Sequence, residues 1–104
     1  MTDTQSALPI EELERNAAGA ASLLKALSNE SRLLILCNLA GGEKCVGELN
    51  EKIPLSQSAL SQHLARLRSD ELVTVRKEAQ TVYYRIASKE AEAIISVLYN
   101  LYCS

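Results

Sequence analysis

Three cysteines and a single histidine are the side chains of this sequence best suited to covalent or metal chemistry: Cys37, Cys45, Cys103 and His63. Cys37 lies inside the most apolar run, RLLILCNLA. Cys45 follows the loop GGEK, and Cys103 stands one position from the end, in YNLYCS. No two cysteines form a CxxC pair, and one histidine is thin material for zinc, which takes four ligands in clustered spacings. No metal site and no cofactor are expected. An odd cysteine count with no visible secretory signal argues against a permanent disulfide framework. The thiols are therefore either inert small hydrophobes or redox-active groups, and residue type alone leaves both readings open.

A second chemistry is legible in LSQSALSQHLARLRSDELV. Ser56 is a good N-cap, and Leu55 with Leu60 fits a hydrophobic staple. Leu60, Leu64 and Leu67 make one apolar stripe, and the opposite face carries Ser58, Ser61, Gln62, Ala65 and Ser69. A merely solvated face would more often carry Lys and Glu. Short hydroxyl and amide side chains can donate to and accept from base edges, and small residues let a helix sit deep in a major groove. The expected nucleic-acid contacts are Ser56, Gln57, Ser58, Ser61, Gln62 and His63 on this helix, with Arg66 and Arg68 placed for phosphates. Lys77 and Gln80 follow at the tip of a hairpin. His63 sits at the edge of the leucine stripe, which suits a packing or phosphate-contact residue better than a catalytic base. The competing reading is a polar helix of an all-α bundle, and the β segments that follow directly weigh against it.

Those residues need elements to hold them. Residues 1–8 read as a flexible N-terminal tail and 9–104 as a single domain, a size at which oligomerisation would aid stability. Pro9 suits the first turn of a helix, and Leu13, Ala17, Ala20, Leu24 and Leu27 continue it at helical spacing. Its centre, AAGAA, implies the close approach of another backbone at Gly19. A second helix over about 30–40 is apolar nearly all round, which predicts burial on most sides. A short helix over about 46–52 and the 57–69 helix complete a helix-turn-helix. The segments VTVR and TVYYRI, joined by the turn KEAQ, alternate as a hairpin. A last helix over 89–102 is expected to bury Ala91, Ile94, Ile95, Leu98 and Leu101. The fold class is mainly α with a β-hairpin wing, in the order ααααββα.

Net charge is −2 over 104 residues. Residues 57–85 carry +2 and the remainder −4, a weakly basic third on an acidic body. The longest apolar stretch, LLILC, is far too short to span a membrane. The start, MTDTQSALPI, lacks a basic region followed by an apolar block, so a cytoplasmic location is expected. No Gly-rich phosphate loop or metal cluster supports an enzyme. A sulfur-handling enzyme and a purely structural dimerisation module remain the alternatives from other classes.

LLKALSNESRLLILCNL, CVGEL, LSQSALSQHLARLRSDELV and RKEAQTVYYRI occur here in that order. Together they resemble the ArsR/SmtB family of winged-helix repressors, over about residues 23–103. The resemblance implies a homodimer joined through its first and last helices, with two recognition helices reading half-sites of a double-stranded operator. Around EKCVGEL the arsenic and cadmium sensors of the family have two cysteines flanking a valine. Here Cys45 matches the first, but Gly47 replaces the second. The family's zinc and nickel sensors use His, Asp and Glu on the last helix, which here offers only Glu90 and Glu92. The remaining pair, Cys37 and Cys103, resembles the persulfide-responsive and virulence-regulating branch (BigR/SqrR and HlyU). That branch implies a dithiol switch in which a small reactive sulfur species or oxidant bridges Cys37 to Cys103 and changes operator affinity. It also implies an alternative output, activation by displacing a silencing protein, beside a thiol- or metalloid-sensing repressor. Cys45 carries no assigned role.

Overall fold

The computed structural model describes residues 9–103, so the expected tail over 1–8 lies outside the described residues. The single long first helix is two: α1 (Ile10–Arg15) and α2 (Ala17–Leu27). They part at Asn16, whose side-chain amide donates to the Glu12 carbonyl at 2.8 Å and so competes with the helical ladder. Pro9 caps α1 from outside its first turn. Of the apolar positions on this face only Leu27 is buried, while Leu13 and Leu24 stay more than half exposed. A Cβ built on Gly19 would meet nothing within 4 Å, so the close approach expected there is not made within the protomer.

Helix α3 (Glu30–Leu39) starts at Asn29, whose side chain accepts from the Arg32 N–H at 3.0 Å. Arg32 in turn donates from Nε to the Ala26 carbonyl at 2.8 Å, fixing the corner between α2 and α3. Ile35, Leu36 and Leu39 are buried, but Leu34 and Cys37 are exposed. Spaced i, i+3, these two share one side of the helix, and the expected burial on nearly all sides fails there. α3 packs on the core along one face and borders an open groove along another.

β1 (Lys44–Cys45) was not expected from the sequence, because two residues are too few to show alternation. It pairs antiparallel with β3 (Thr81–Ile86), and the sheet order is β1-β3-β2, with β2 spanning Val73–Glu78. The β2–β3 register sets Val73 opposite Ile86 and Val75 opposite Tyr84, as the alternation requires. The strands run further than VTVR suggests, since Lys77 faces Val82 and Glu78 faces Thr81. The connection shrinks to Ala79 and Gln80, with Ala79 in the left-handed region that such tight hairpin turns demand (φ 56°). α4 (Val46–Lys52), α5 (Gln57–Ser69) and α6 (Lys89–Tyr102) lie where the periodicity puts them. Mostly helical, with a small antiparallel sheet as its wing, the chain has the winged-helix form.

Leu49, Ile53, Leu60, Leu64 and Leu67 form the centre of the core with Ile35 and Leu36. Each buried leucine contributes about 1.5–3 kcal/mol of transfer free energy, so its stripe anchors α5 firmly. From α6, Ala91 and Ile95 are buried and Ile94 packs against the core at its edge. Leu101, expected inside, is 69% exposed, because the last turn of α6 runs beyond the core.

Candidate nucleic-acid interface and thiol groove

The orientation of α5 is decided by its inner face. With Leu60, Leu64 and Leu67 fully buried, helical geometry turns Gln57, Ser58, Ser61, Gln62 and Ala65 to the surface, and all five are exposed. Ser56 accepts from the Ala59 N–H at 3.1 Å, so its hydroxyl caps the helix while remaining on the exposed side. Asn50 donates to the Leu55 carbonyl at 2.8 Å and fixes the turn between α4 and α5. His63 is half-buried at the edge of the leucine stripe. Arg66 and Arg68 are both exposed, but Arg66 already pairs at 3.1 Å with Asp70, the C-cap of the same helix. Lys77 and Gln80 stand exposed at the hairpin end.

One arginine of the wing is not available in the same way. Arg76 donates to Glu43, from Nε at 3.1 Å and again from its terminal nitrogen, and to Glu78 at 2.9 Å. Its guanidinium also stacks over the Tyr83 ring, 4.8 Å from the centroid. The Arg76 hydrogen bond holds the Glu43 carboxyl below the usual carboxylate range, outweighing an opposing desolvation, and the two carboxylates push Arg76 up. This clamp ties β2 to the loop before β1. Sequence reasoning missed it, since its halves lie 33 positions apart and no local pattern links them.

The thiols separate into one pair and one outlier. Cys37 on α3 and Cys103 at the end of α6 both line a single open groove of about 670 Å³, together with Leu33, Ala40, Ile95 and Tyr99. Both are free and exposed. The alternative of an inert, buried hydrophobe does not hold for Cys37: its face of α3 (Leu33, Cys37, Ala40) borders the groove. Partial burial, and then the charge of the neighbouring Cys103, push the Cys37 thiol above its ordinary range. Cys103 is held by its N–H donating to the Tyr99 carbonyl at 2.8 Å.

Cys45 lies elsewhere, opposite Tyr83 on β1, as the N-cap residue of α4. Its N–H donates to the Glu48 carboxylate at 2.9 Å in a capping box where a thiol replaces the usual hydroxyl. A Cβ at Gly47 would lie 4.0 Å from the Cys45 sulfur, so a cysteine there would bring two thiolates together. With glycine the pair is missing. Among the described residues no three His, Cys, Asp or Glu side chains converge as metal ligands would. Nor, among them, is any helix long and apolar enough to cross a membrane.

Comparison with known proteins agrees with this geometry. A family model described as bacterial regulatory protein, arsR family, matches residues 29–75, which run from the α3 cap into the wing. The transcriptional activator HlyU of Vibrio cholerae serotype O1 is 57% identical over 94 residues, spanning 90% of this chain and 87% of the relative. The biofilm growth-associated repressor of Agrobacterium fabrum is 40% identical over 97 residues, spanning 93% and 83%. The crystal structure of the transcriptional regulator HlyU from Vibrio vulnificus CMCP6 superimposes with a TM-score of 0.85 at 58% identity. It covers 92% of this chain and 100% of that one.

Proposed function

This chain belongs to the ArsR family of bacterial regulatory proteins, which are transcriptional regulators, and on that premise we propose a homodimer on duplex DNA whose operator affinity is switched when Cys37 and Cys103 are bridged. The observation that supports the switch is that both thiols line one groove between α3 and α6. The outward face of α5 supplies the base contacts: Gln57, Ser58, Ser61 and Gln62, with Ser56 and His63 at its margins. Arg66, Arg68, Lys77 and Gln80 supply the backbone contacts. Support for the dimer comes from apolar residues that the protomer leaves exposed, namely Ile10, Leu13 and Leu24 on α1–α2 and Val97 and Leu101 on α6. Val97 and Leu101, one turn apart, lie on the side of α6 away from Cys103. Two protomers can thus meet there and leave the thiol groove open.

In the reduced state the dimer holds its operator. A persulfide, polysulfide or oxidant converts the two thiols to a disulfide or a longer sulfur bridge, which draws α3 and the end of α6 together. The dimer then shifts between two arrangements that space the α5 helices differently. The test uses duplexes selected from a random pool by the reduced protein, titrated before and after persulfide treatment. Weakened binding after treatment, abolished by Cys37→Ser or Cys103→Ser, is the expected result; unchanged affinity in the wild type refutes the switch. A second reading keeps this chemistry but reverses the output to activation, favoured by the greater identity to an activator (57%) than to the biofilm repressor (40%). A reporter assay that counts transcripts with and without the protein decides the sign.

A further inference from the structure

The groove that holds the two thiols has a chemical bias of its own. Its walls are apolar: Leu33, Ile95 and Leu98 with the rings of Tyr99 and Tyr102. The one charged side chain among the described residues that line it, the thiols aside, is the carboxylate of Glu92, and neither lysine nor arginine contributes to it. At about 670 Å³ it is large enough for a small molecule. An anionic sulfur donor therefore meets a like charge and no cation, whereas an uncharged apolar donor meets matching walls. We propose that this groove takes neutral, apolar sulfane-sulfur compounds, such as dialkyl trisulfides, in preference to anionic donors. The proposal rests on the reading of Cys37 and Cys103 as a reactive pair and names the substrate class of that pair.

The reaction balances without any further oxidant. The first thiolate attacks the central sulfur of R–S–S–S–R, and the bond from that sulfur to one outer sulfur breaks. R–S⁻ leaves and takes up the proton released by the cysteine. The second thiolate attacks the transferred sulfur and displaces the other R–S⁻, which is protonated in turn. Two cysteine thiols and one trisulfide become Cys–S–S–S–Cys and two R–SH; the cysteines are oxidised and the trisulfide is reduced. A three-sulfur bridge also relaxes the Cα separation of about 4.4–6.8 Å that a plain disulfide imposes.

The test treats the full-length reduced protein with diallyl trisulfide or with the dianionic bis(2-carboxyethyl) trisulfide, and follows bridging by intact-protein mass spectrometry. A neutral free thiol, N-acetylcysteine amide, gives the intrinsic ratio of the two donors. The protein should favour the neutral donor by at least about tenfold more than the free thiol does, as expected for like charges in a partly desolvated groove. Glu92→Gln, a change at an exposed site, should speed the dianion severalfold and narrow the ratio, and high salt should narrow it too by screening. A protein ratio equal to that of the free thiol overturns the selectivity while the dithiol reading stands. If neither donor bridges Cys37 to Cys103, both fall together.

Discussion

Arg76 and Lys77 are neighbours on β2, yet they should behave differently in a salt titration of DNA binding. Lys77 is exposed and makes no ion pair among the described residues, so its ammonium is free to sit against a phosphate. Arg76 is held by Glu43 and Glu78 and stacked on Tyr83, so on the proposed reading it should position the hairpin rather than contact DNA. Each phosphate neutralised adds about −0.9 to the slope of log K against log salt. One Lys77 from each protomer of a dimer then accounts for about 1.8 of that slope. Between about 50 and 200 mM salt, a fourfold change, the wild type should lose roughly twelvefold more affinity than Lys77→Ala. Arg76→Ala should instead weaken binding by a similar factor at every salt concentration, because it loosens the wing without removing a phosphate contact. Fluorescence anisotropy with a labelled duplex selected by the wild-type protein measures both slopes. A slope flattened as much by Arg76→Ala as by Lys77→Ala would refute the reasoning, as would a Lys77→Ala slope equal to that of the wild type.

Leu64→Ala, at a fully buried position of α5, should cost about 2–5 kcal/mol in denaturant unfolding. Leu101→Ala, 69% exposed, should change protomer stability by no more than about 0.5 kcal/mol; sedimentation should nevertheless show a weaker dimer. Because burial and the Cys103 charge raise the Cys37 pKa, the thiol stays protonated to higher pH than an ordinary cysteine and its reactive thiolate is scarce near neutrality. Bridging should therefore accelerate towards tenfold per pH unit between about pH 6 and 8, and a flat rate profile by mass spectrometry contradicts this. Ser88→Ala removes the cap that accepts from the Ala91 N–H at 3.0 Å and should lower stability by about 1 kcal/mol in thermal melts.

Where periodicity and caps are local, the sequence alone determined the outcome. The leucine stripe of α5, its Ser56 cap, the bounds of α4 and the alternation of the hairpin all lie within a few neighbouring residues. Each follows from how side chains repeat along a helix or strand, and the reader face of Ser58, Ser61 and Gln62 follows from the stripe opposite. The sequence also matched Cys37 with Cys103, though only through family resemblance, since nothing local relates positions 66 apart. Tertiary structure decided what depends on which element passes over which. It turned the face with Cys37 onto an open groove rather than into the core, because α6 approaches α3 only closely enough to form one wall. It left Leu13, Leu24 and Leu101 exposed, because an apolar stripe states that burial is wanted but not whether the same chain provides it. The break of the first helix at Asn16 is local, a side-chain hydrogen bond to the Glu12 carbonyl that competes with the backbone ladder, yet the apolar spacing runs straight through it. Tertiary structure also joined Glu43 to Arg76, because complementary charges find each other through the path of the chain in space, which no spacing in the sequence records.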